Sequence, residues 1–405
     1  MRITTVFNKL LSLQGTLVRQ VEFLTADSVL YVTVRRRARR HRCPLCSFST
    51  GAAYDHHTAT WRHVALGRWA VFVRARVCRL SCPRHGVVTE AVPWAGYQAR
   101  FTLDFEDLVA WCAREMNKTA VTHLLHIAWQ TVGRIIERVV ERKLDVARLD
   151  RLYVIGVDEI SYRKGHKYLT VVADHRRGTV AWMGDGRSRD TLGAFFDELG
   201  PERSESVALA SMDMCAPYIA AVRERAKNAE IVFDPFHVVK LGGDAVHKVR
   251  RTEARERKGT PHAAVLKGSR WALLKAPESL KPDEEVHLAE VAKLNKRVYR
   301  AYLLKEELRA MYLCGARTAA KHLRSWLAWA SRSKLAPFVT LAATLRKYRD
   351  GVLAAIRYRL SNGRLEGLNN KIRVISHRAY GFHSAAALMA MVYLCCGGLS
   401  VELPT

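Results

Sequence analysis

Hydrophobic and polar residues alternate in short runs through the first hundred positions of this chain. The alternation is clearest over residues 17–23, 29–34 and 69–77. A period of two is typical of strands with one buried face. The sequence therefore predicts a small β-rich module over residues 1–100.

A helical domain is predicted next, over residues 101–149. An amphipathic helix ends near residue 115, a short helix follows with Thr119 as its cap, and a longer helix begins at Trp129 or Gln130. This order resembles a helix-turn-helix, whose second helix enters the major groove of DNA. A three-helix scaffold without a DNA role is the alternative. The exposed candidates for base contacts are Gln130, Arg134 and Arg138.

Residues 150–240 alternate apolar runs with helical segments, which predicts a mixed α/β sheet. The predicted strands are 152–157, 168–173, 179–183, 207–212 and 231–233, and the predicted helices are 190–199 and 217–226. Residues 241–358 are helical and strongly charged, and we interpret them as an insertion. Residues 359–405 return to the sheet domain with a helix that carries Glu366. The predicted fold class is multidomain α+β.

The chain is strongly basic, which points to a polyanionic partner. It contains 66 Lys and Arg against 38 Asp and Glu, with a formal net charge of +28. Nucleic acid is the leading candidate, since a duplex carries one negative charge per ~1.7 Å of helix axis. No apolar run approaches the roughly 18 residues of a membrane span, so we expect no membrane partner and a cytoplasmic location.

Six arginines lie within residues 35–42. A charged run usually forms a solvated face, but this one has a single sign and cannot compensate itself. We therefore predict that it contacts phosphates. The residues assigned to this role are Arg35, Arg36, Arg37, Arg39 and Arg40.

The nine cysteines include closely spaced pairs, which favours metal ligation over a disulfide framework. Cys43 and Cys46 form one pair with two residues between them, and Cys82 and His85 form another. This spacing permits a four-coordinate Zn²⁺ site, and Cys78 competes for a place in it. The alternative is that some of these cysteines are small buried hydrophobes. A structural zinc ion would indicate that this module binds a partner and does not catalyse a reaction.

Three carboxylates stand near the predicted ends of strands and helices. Asp158 interrupts an apolar run where a strand is predicted to end, and Asp213 lies between a strand and a helix. Either could be only a turn former or a helix cap, and Asp234 is a rival for the same role. Together with Glu366, such oxygens could hold the pair of Mg²⁺ ions that phosphodiester chemistry uses.

The helix that carries Glu366 has two faces. The apolar face is formed by Leu365, Leu368, Ile372 and Ile375, and the polar face by Glu366, Asn370, Arg373 and His377. One face can pack while the other holds metal and phosphate. A surface helix with a chance acid is the alternative, but it does not explain the Asn, Lys and Arg residues that follow Glu366.

Four motifs in this chain resemble those of the ISL3 family of bacterial insertion-sequence transposases. They are GVDEISYRKGH at 156–166, SMDM at 211–214, FDPFHVVK at 233–240 and NGRLEGLNNKIR at 362–373. The resemblance covers nearly the whole chain, because WRH at 61–63, CPRHG at 82–86 and VPW at 92–94 also match.

The resemblance implies a ribonuclease-H-like DDE catalytic domain that a helical insertion interrupts between the second Asp and the Glu. Asp158, Asp213 and Glu366 would be the metal-binding triad, holding two Mg²⁺ (or Mn²⁺) ions roughly 3.5–4 Å apart. It also implies one structural Zn²⁺, although His85 and Cys78 both stay open as the fourth ligand. The zinc ligands carried over by the matching motifs are Cys43, Cys46, Cys82 and His85.

The implied function is recognition of terminal inverted repeats in double-stranded DNA, followed by strand cleavage and transfer into target DNA. Asn370, Lys371 and Arg373 would position the strand beside Glu366. The family implies a homodimer or a larger synaptic complex, because two DNA ends must be joined. It also implies a bacterial, nucleoid-associated location.

Two other functions fit many of the same residues. One is a zinc-containing DNA-binding regulator whose α/β domain does not cleave, although three intact acids argue against it. The other is a ribonuclease-H-like nuclease that cuts without joining ends. Products of strand transfer distinguish these cases.

Overall fold

The computed structural model describes residues 2–163, 165, 167–361, 363–379 and 381–403. Contacts between Cα atoms divide the chain into two compact units. Unit 1 comprises Met1–Asp145 with Ala386–Thr405, and unit 2 comprises Val146–Ala385. Three motif residues lie outside the described part of the chain, namely Lys164, His166 and Asn362.

Unit 1 begins with a helix and a β-sheet. The sheet has the order β1-β2-β6-β5, with β7 paired to β6, and β3 and β4 form a separate two-stranded pair. The elements are α1 (Ile3–Leu11), β1 (Thr16–Leu24), β2 (Val29–Arg36), β3 (His41–Arg42), β4 (Ser49–Thr50), β5 (Asp55–Arg62), β6 (Ala70–Cys82) and β7 (Gly86–Thr89). The predicted runs correspond to β1, β2 and β6, and the additional elements are α1, β3, β4, β5 and β7.

Alternation along β6 explains how this sheet packs. Val71, Val73 and Val77 are buried on one face of the strand. They share a core with Trp61 and Trp94, whose rings meet edge to face with centroids 5.4 Å apart. One buried face per strand is the pattern that period-two alternation predicts.

Three helices follow in unit 1: α2 (Leu103–Glu115), α3 (Lys118–Leu125) and α4 (Trp129–Lys143). Thr102 caps α2 by accepting from the backbone N–H of Phe105. The side chain of Asn117 caps α3 by accepting from the backbone N–H of Ala120 at 2.8 Å. The predicted cap at Thr119 is wrong, because Asn117 holds the extended backbone of a cap and Thr119 is already helical.

The sheet of unit 2 has the order β10-β9-β8-β11-β12. β8, β9 and β10 are antiparallel neighbours, whereas β8, β11 and β12 run parallel. The elements are β8 (Val154–Arg163), β9 (Lys167–Asp174), β10 (Thr179–Asp185), α5 (Arg189–Leu199), α6 (Pro201–Glu205), β11 (Leu209–Met212), α7 (Ala216–Arg225) and β12 (Glu230–Phe233). This arrangement confirms the mixed sheet that the sequence predicts.

One boundary in this sheet differs from the sequence prediction. β8 does not end at Asp158 but continues to Arg163, because β9 folds back and pairs with it through Lys167. Asp158 thus lies within a strand. Its partner in the register of β9 is Val171.

The segment after β12 is helical, as predicted. Its helices are α8 (Pro235–Glu256), α9 (Pro261–Gly268), α10 (Arg270–Leu274), α11 (Pro282–Leu294), α12 (Lys296–Ala310), α13 (Ala316–Arg332), α14 (Ala336–Lys347) and α15 (Arg349–Tyr358). Lys305 of α12 is buried and donates to the backbone carbonyls of Leu273 and Lys275 at the end of α10. A positive charge at a helix C-terminus satisfies carbonyls that have no partner within the helix.

Two helices complete the described chain: α16 (Gly363–Arg378) and α17 (Ala385–Cys396). The sequence interpretation assigned residues 359–405 to the sheet domain, whereas the contacts of residues from Ala386 onward group with unit 1. Within the described residues, no helix is both long and apolar enough to cross a membrane.

Candidate functional site

Asp158 and Asp213 line one cavity in unit 2. β8 and β11 are parallel neighbours, and Ser211 of β11 is paired with Gly156 of β8. Asp213 and Asp158 each follow two positions later, so this register brings them opposite each other. The cavity has a volume of about 340 Å³. Its lining consists of Val157, Asp158, Glu159, Arg187, Asp213, Cys215, Pro217 and Tyr218.

Both oxygens of Asp158 are held by hydrogen bonds. Oδ1 accepts from the backbone N–H of Glu159 at 2.7 Å, and Oδ2 accepts from the side-chain amide of Asn369 at 2.5 Å. Burial raises the pKa of Asp158, and the negative charge of Asp213 raises it further. The two carboxylates therefore repel each other in partly desolvated surroundings. A bound cation would reduce this repulsion.

Asp213 is oriented by His237, a motif residue to which the sequence alone assigns no role. Nδ1 of His237 lies 2.7 Å from Oδ2 of Asp213, and Nε2 lies 3.8 Å from Oδ2 of the buried Asp234. Burial lowers the pKa of His237, but the hydrogen bond and charge of Asp213 outweigh burial and raise it overall. Asp234 thus lies near the second ring nitrogen of His237 and is not among the residues that line the cavity.

Helix α16 packs closely on β8 because residue 156 is glycine. A Cβ at Gly156 would lie 2.3 Å from Cδ1 of Leu365 and 2.8 Å from Nε2 of His175. The hydrogen bond from Asn369 to Asp158 ties the same helix to the same strand. The sequence prediction of this helix missed Asn369, which is buried among the apolar residues.

The two predicted faces of α16 are present. Leu365, Leu368, Ile372 and Ile375 are buried, whereas Glu366, Asn370, Lys371, Arg373 and His377 are exposed. Glu366 stands one turn before Asn369 on the helix. Among the described residues, the three carboxylates do not form a group whose oxygens all lie within 4.8 Å of one another. The structure thus brings Asp158 and Asp213 into one cavity, and it presents Glu366 on the exposed side of the helix that is hydrogen-bonded to Asp158.

A separate group of metal-type ligands lies in unit 1. Ligand atoms of Cys43, Cys46, Cys82 and His85 all lie within 4.8 Å of one another. Nδ1 of His85 is 3.6 Å from the sulfur of Cys43 and 3.5 Å from that of Cys82. Although burial raises the pKa of Cys82, hydrogen bonds from backbone N–H groups and from His85 bring it down to about 6. Three sulfurs and one imidazole suit a tetrahedral zinc ion.

Cys78 belongs to a different cluster. Cys78 and Glu90 are buried, His41 beside them is half-buried, and the backbone N–H of Cys78 donates to Oε1 of Glu90 at 3.0 Å. Burial raises the pKa of Cys78 to about 11, with the charge of Glu90 adding to the effect. The guanidinium of Arg36 contacts both Glu90 and His41, so an arginine supplies the positive charge of this cluster. The geometry therefore groups His85, and not Cys78, with the other three ligands.

The arginine run divides into two roles. Arg36 is half-buried and paired with Glu90, so its charge is partly compensated, while its phosphate contact stays a prediction. Arg37 donates to the carbonyl of Thr16, and Arg40 donates to Ser49, although both side chains stay exposed. The exposed members of the run are Arg35, Arg37, Arg39 and Arg40.

The three candidate base readers of α4 also differ from one another. Gln130 and Arg134 are exposed. Arg138 donates through Nε and Nη2 to Glu106, whose side chain is only 1% exposed, and Arg142 contacts the same carboxylate. Arg138 is therefore held against α2, while its role as a base reader stays a prediction. The acid that holds it lies 32 residues away, so the local sequence could not reveal the pair.

Comparison with known proteins gives two family matches. Residues 155–392 match a family described as transposase, of the DDE type and the ISL3 group. Residues 90–140 match the helix-turn-helix domain of transposase family ISL3.

The chain is also similar to curated proteins over most of its length. Transposases for insertion sequence element IS1557 from two strains of Mycobacterium tuberculosis are 38% identical, covering 100% of this chain and 98% of each relative. The transposase for insertion sequence element IS1001 from Bordetella parapertussis is 29% identical, covering 91% of this chain and 92% of the relative.

Proposed function

Because this chain belongs to the ISL3 family of DDE transposases, we propose that it binds the terminal inverted repeats of an insertion sequence and cuts and transfers the DNA strands. Asp158, Asp213 and Glu366 are its metal-binding carboxylates. The relatives are named as insertion-sequence transposases, and the helix-turn-helix match agrees with a DNA substrate.

The observation that carries this proposal is the shared cavity of Asp158 and Asp213. Carboxylate oxygens are the ligands that Mg²⁺ prefers, and the repulsion between these two acids favours a cation between them. Divalent ions bound there would supply activation of the attacking oxygen and stabilisation of the leaving oxygen. Glu366, exposed on α16, would be the third carboxylate of this donor set.

The protein's own side chains orient this site. Asn369 holds Asp158, and His237 holds Asp213, so neither carboxylate turns freely. Side chains that hydrogen-bond to metal-ligating residues in this way fix the orientation of those ligands. Asn370, Lys371 and Arg373 are exposed beyond Glu366 on α16 and hold the phosphates of the strand that is cut.

Unit 1 recognises the DNA ends in this proposal. Gln130 and Arg134 contact base edges from α4, and four exposed arginines contact phosphates. The Cys and His ligands hold one Zn²⁺, which stabilises the sheet beside those arginines. The arginines are Arg35, Arg37, Arg39 and Arg40.

The experiment combines purified protein and Mg²⁺ with labelled DNA from the two ends of its own element. Wild type is compared with Asp158→Asn and Glu366→Gln for nicking and for joined ends. We expect site-specific cuts and strand-transfer products in wild type, and neither in the variants, with DNA binding retained in all three. Binding without any cleavage, equal in the three proteins, would instead identify a DNA-binding regulator. Cuts without joined ends would identify a nuclease.

A further inference from the structure

The cavity that holds Asp158 and Asp213 also contains a positive side chain. Among the described residues that line it, Arg187 alone is cationic, and three carboxylates line it, those of Asp158, Asp213 and Glu159. A DNA strand that enters this place brings further negative charge. An arginine at the wall is therefore placed where a phosphate needs a partner.

The backbone that carries Arg187 is fixed to the sheet. Gly186 has φ +106°, a conformation that favours glycine, and its N–H donates to the carbonyl of Tyr168 at 2.8 Å. Oγ1 of Thr170 donates to the carbonyl of Gly186 at 2.8 Å. Ser188, directly after Arg187, caps α5. Arg187 thus stands between two anchored residues and does not belong to a free loop.

The same anchor reaches the carboxylates. Thr170 lies opposite Glu159 in the β8–β9 register, and Asp158 precedes Glu159 on β8. The hydroxyl of Thr170 also lies 2.8 Å from that of Tyr218, a second residue of the cavity wall. The position of Arg187 relative to Asp158 is therefore determined by the sheet.

The guanidinium itself is held only loosely. It lies over the ring of Tyr168, 4.3 Å from the centroid, and Nη1 is 3.4 Å from Oε1 of Glu159. The side chains of this pair are 52% and 36% exposed. Exposed ion pairs stabilise by at most about 1 kcal/mol, so a phosphate can replace Glu159 as the partner. A ring face that supports one side of the guanidinium leaves its edge available for bidentate contact.

We infer that Arg187 binds a phosphate of the DNA strand next to the bond that is cut, and that Glu159 holds the guanidinium in place until the strand arrives. This inference rests on the proposed function, since it assigns a phosphate contact within the same site. It adds a residue outside α16 to strand positioning. The strand is then held by Arg187 at the cavity wall as well as by the residues of α16.

The first experiment measures the single-turnover cleavage rate at saturating DNA for Arg187→Gln and Arg187→Lys. We expect Arg187→Gln to lower the rate about 100-fold, as removal of one aligned donor does, and Arg187→Lys to restore part of the loss. The matched control is Arg189→Gln, because Arg189 is similarly exposed and ion-paired, with Glu224. Its rate should stay within about twofold of wild type, since it does not line the cavity.

The second experiment identifies the phosphate. Single linkages around the cleavage site are replaced by uncharged methylphosphonates, and each substrate is tested with wild type, Arg187→Lys and Arg187→Gln. At one linkage the substitution should slow wild type and Arg187→Lys strongly but Arg187→Gln little, because the partner is already absent. If every linkage slows wild type and Arg187→Gln by the same factor, Arg187 does not contact a phosphate.

These outcomes separate the two proposals. A wild type that cuts DNA while Arg187→Gln cuts equally well overturns only the role of Arg187. A wild type that does not cut DNA overturns the proposed function itself, and the role of Arg187 with it. Thermal unfolding of each variant verifies that the comparison is made between folded proteins.

Discussion

The side-chain amide of Asn369 donates to Oδ2 of Asp158 across 211 positions of sequence. The bond connects α16 to the middle strand of the unit 2 sheet. In the sequence, the helices of the insertion, α8 to α15, come after the strands of this sheet and before α16. This hydrogen bond, together with the close packing of Leu365 at Gly156, ties the helix that carries Glu366 to the strand of the first carboxylate, and its role can be tested directly.

Replacing Asn369 by alanine should slow cleavage without preventing DNA binding. Asp158 loses the donor that orients it, and loss of such a partner lowers metal affinity or activity ~10- to 100-fold. Cleavage rates measured against Mg²⁺ concentration should show a higher metal requirement. Asn370→Ala is the control, because Asn370 is exposed and should change DNA affinity but not the metal requirement. An unchanged Mg²⁺ curve for Asn369→Ala would contradict this role.

His237 should orient Asp213 in the same way. In His237→Gln the ring nitrogens that face Asp213 and Asp234 are replaced by a shorter amide that cannot face both carboxylates. We expect cleavage to fall ~10- to 100-fold at low Mg²⁺ and to recover in part at high Mg²⁺. Phe236→Leu, at the neighbouring exposed position, should leave the Mg²⁺ curve unaltered. Equal curves for wild type and His237→Gln would show that Asp213 needs no such support.

Zinc content should distinguish the two candidates for the fourth ligand. His85→Ala should lose the ion from purified protein and destabilise unit 1, because His85 lies within 3.6 Å of two of the sulfurs. Cys78→Ala should keep one zinc ion per chain, since Cys78 clusters with Glu90 and His41. Metal analysis by mass spectrometry decides the matter. Loss of zinc from Cys78→Ala with retention in His85→Ala would reverse the assignment.

Arg134 and Arg138 should behave differently although they lie one turn apart on α4. Arg138→Met leaves the buried Glu106 with less compensation and should destabilise unit 1 by about 2 kcal/mol, less than a fully buried pair because Arg142 stays in contact. Arg134→Met should leave stability unchanged and weaken binding to the DNA ends. Urea unfolding and DNA titrations at two salt concentrations measure both effects. Equal stability of the two variants would rule out the Glu106 pair as a stabilising contact.

Unit 1 should lose stability in mild acid because of His63. This side chain is buried beside Thr102, and burial lowers its pKa below the ordinary 6.5, although the charge of Asp104 opposes the shift. Below about pH 6.5 the unfolded chain therefore takes up a proton that the folded chain does not, and the free energy of unfolding falls as the pH falls. His63→Gln should reduce this slope.

The exposed His123 provides the control for that measurement. His123→Gln should keep the wild-type slope between pH 7.5 and 5.5 in urea unfolding. The metal ligands contribute acid sensitivity of their own, so only the difference between the variants reports on His63. A slope that is the same in wild type and His63→Gln would exclude His63 as its source.

Features set by local periodicity could be predicted from the sequence. The two faces of α16 follow from helical spacing, and the order of strands and helices in the unit 2 sheet follows from alternating runs. Asn369 was missed although a signal existed, since it lies next to Leu368 on the apolar side of the helix. A polar residue on a buried face needs a partner, and Asp158 is that partner.

Features set by distant pairing could not be predicted. Arg36 and Arg138 look like free cations in the sequence, because the buried acids that hold them, Glu90 and Glu106, are far away in the chain. The extent of β8 beyond Asp158 likewise depends on its hairpin partner. In each case the interaction that determines the structure joins two secondary-structure elements, so the local sequence pattern does not reveal it.

Unit 1 draws its residues from both ends of the chain, with Val146–Ala385 between them. At the usual ribosomal pace of ~5–20 residues per second, roughly 10–50 s pass between synthesis of its first part and of α17. Glu366 also emerges late in that interval. A nascent chain that ends before residue 366 therefore lacks both α17, which groups with unit 1, and the carboxylate carried by α16.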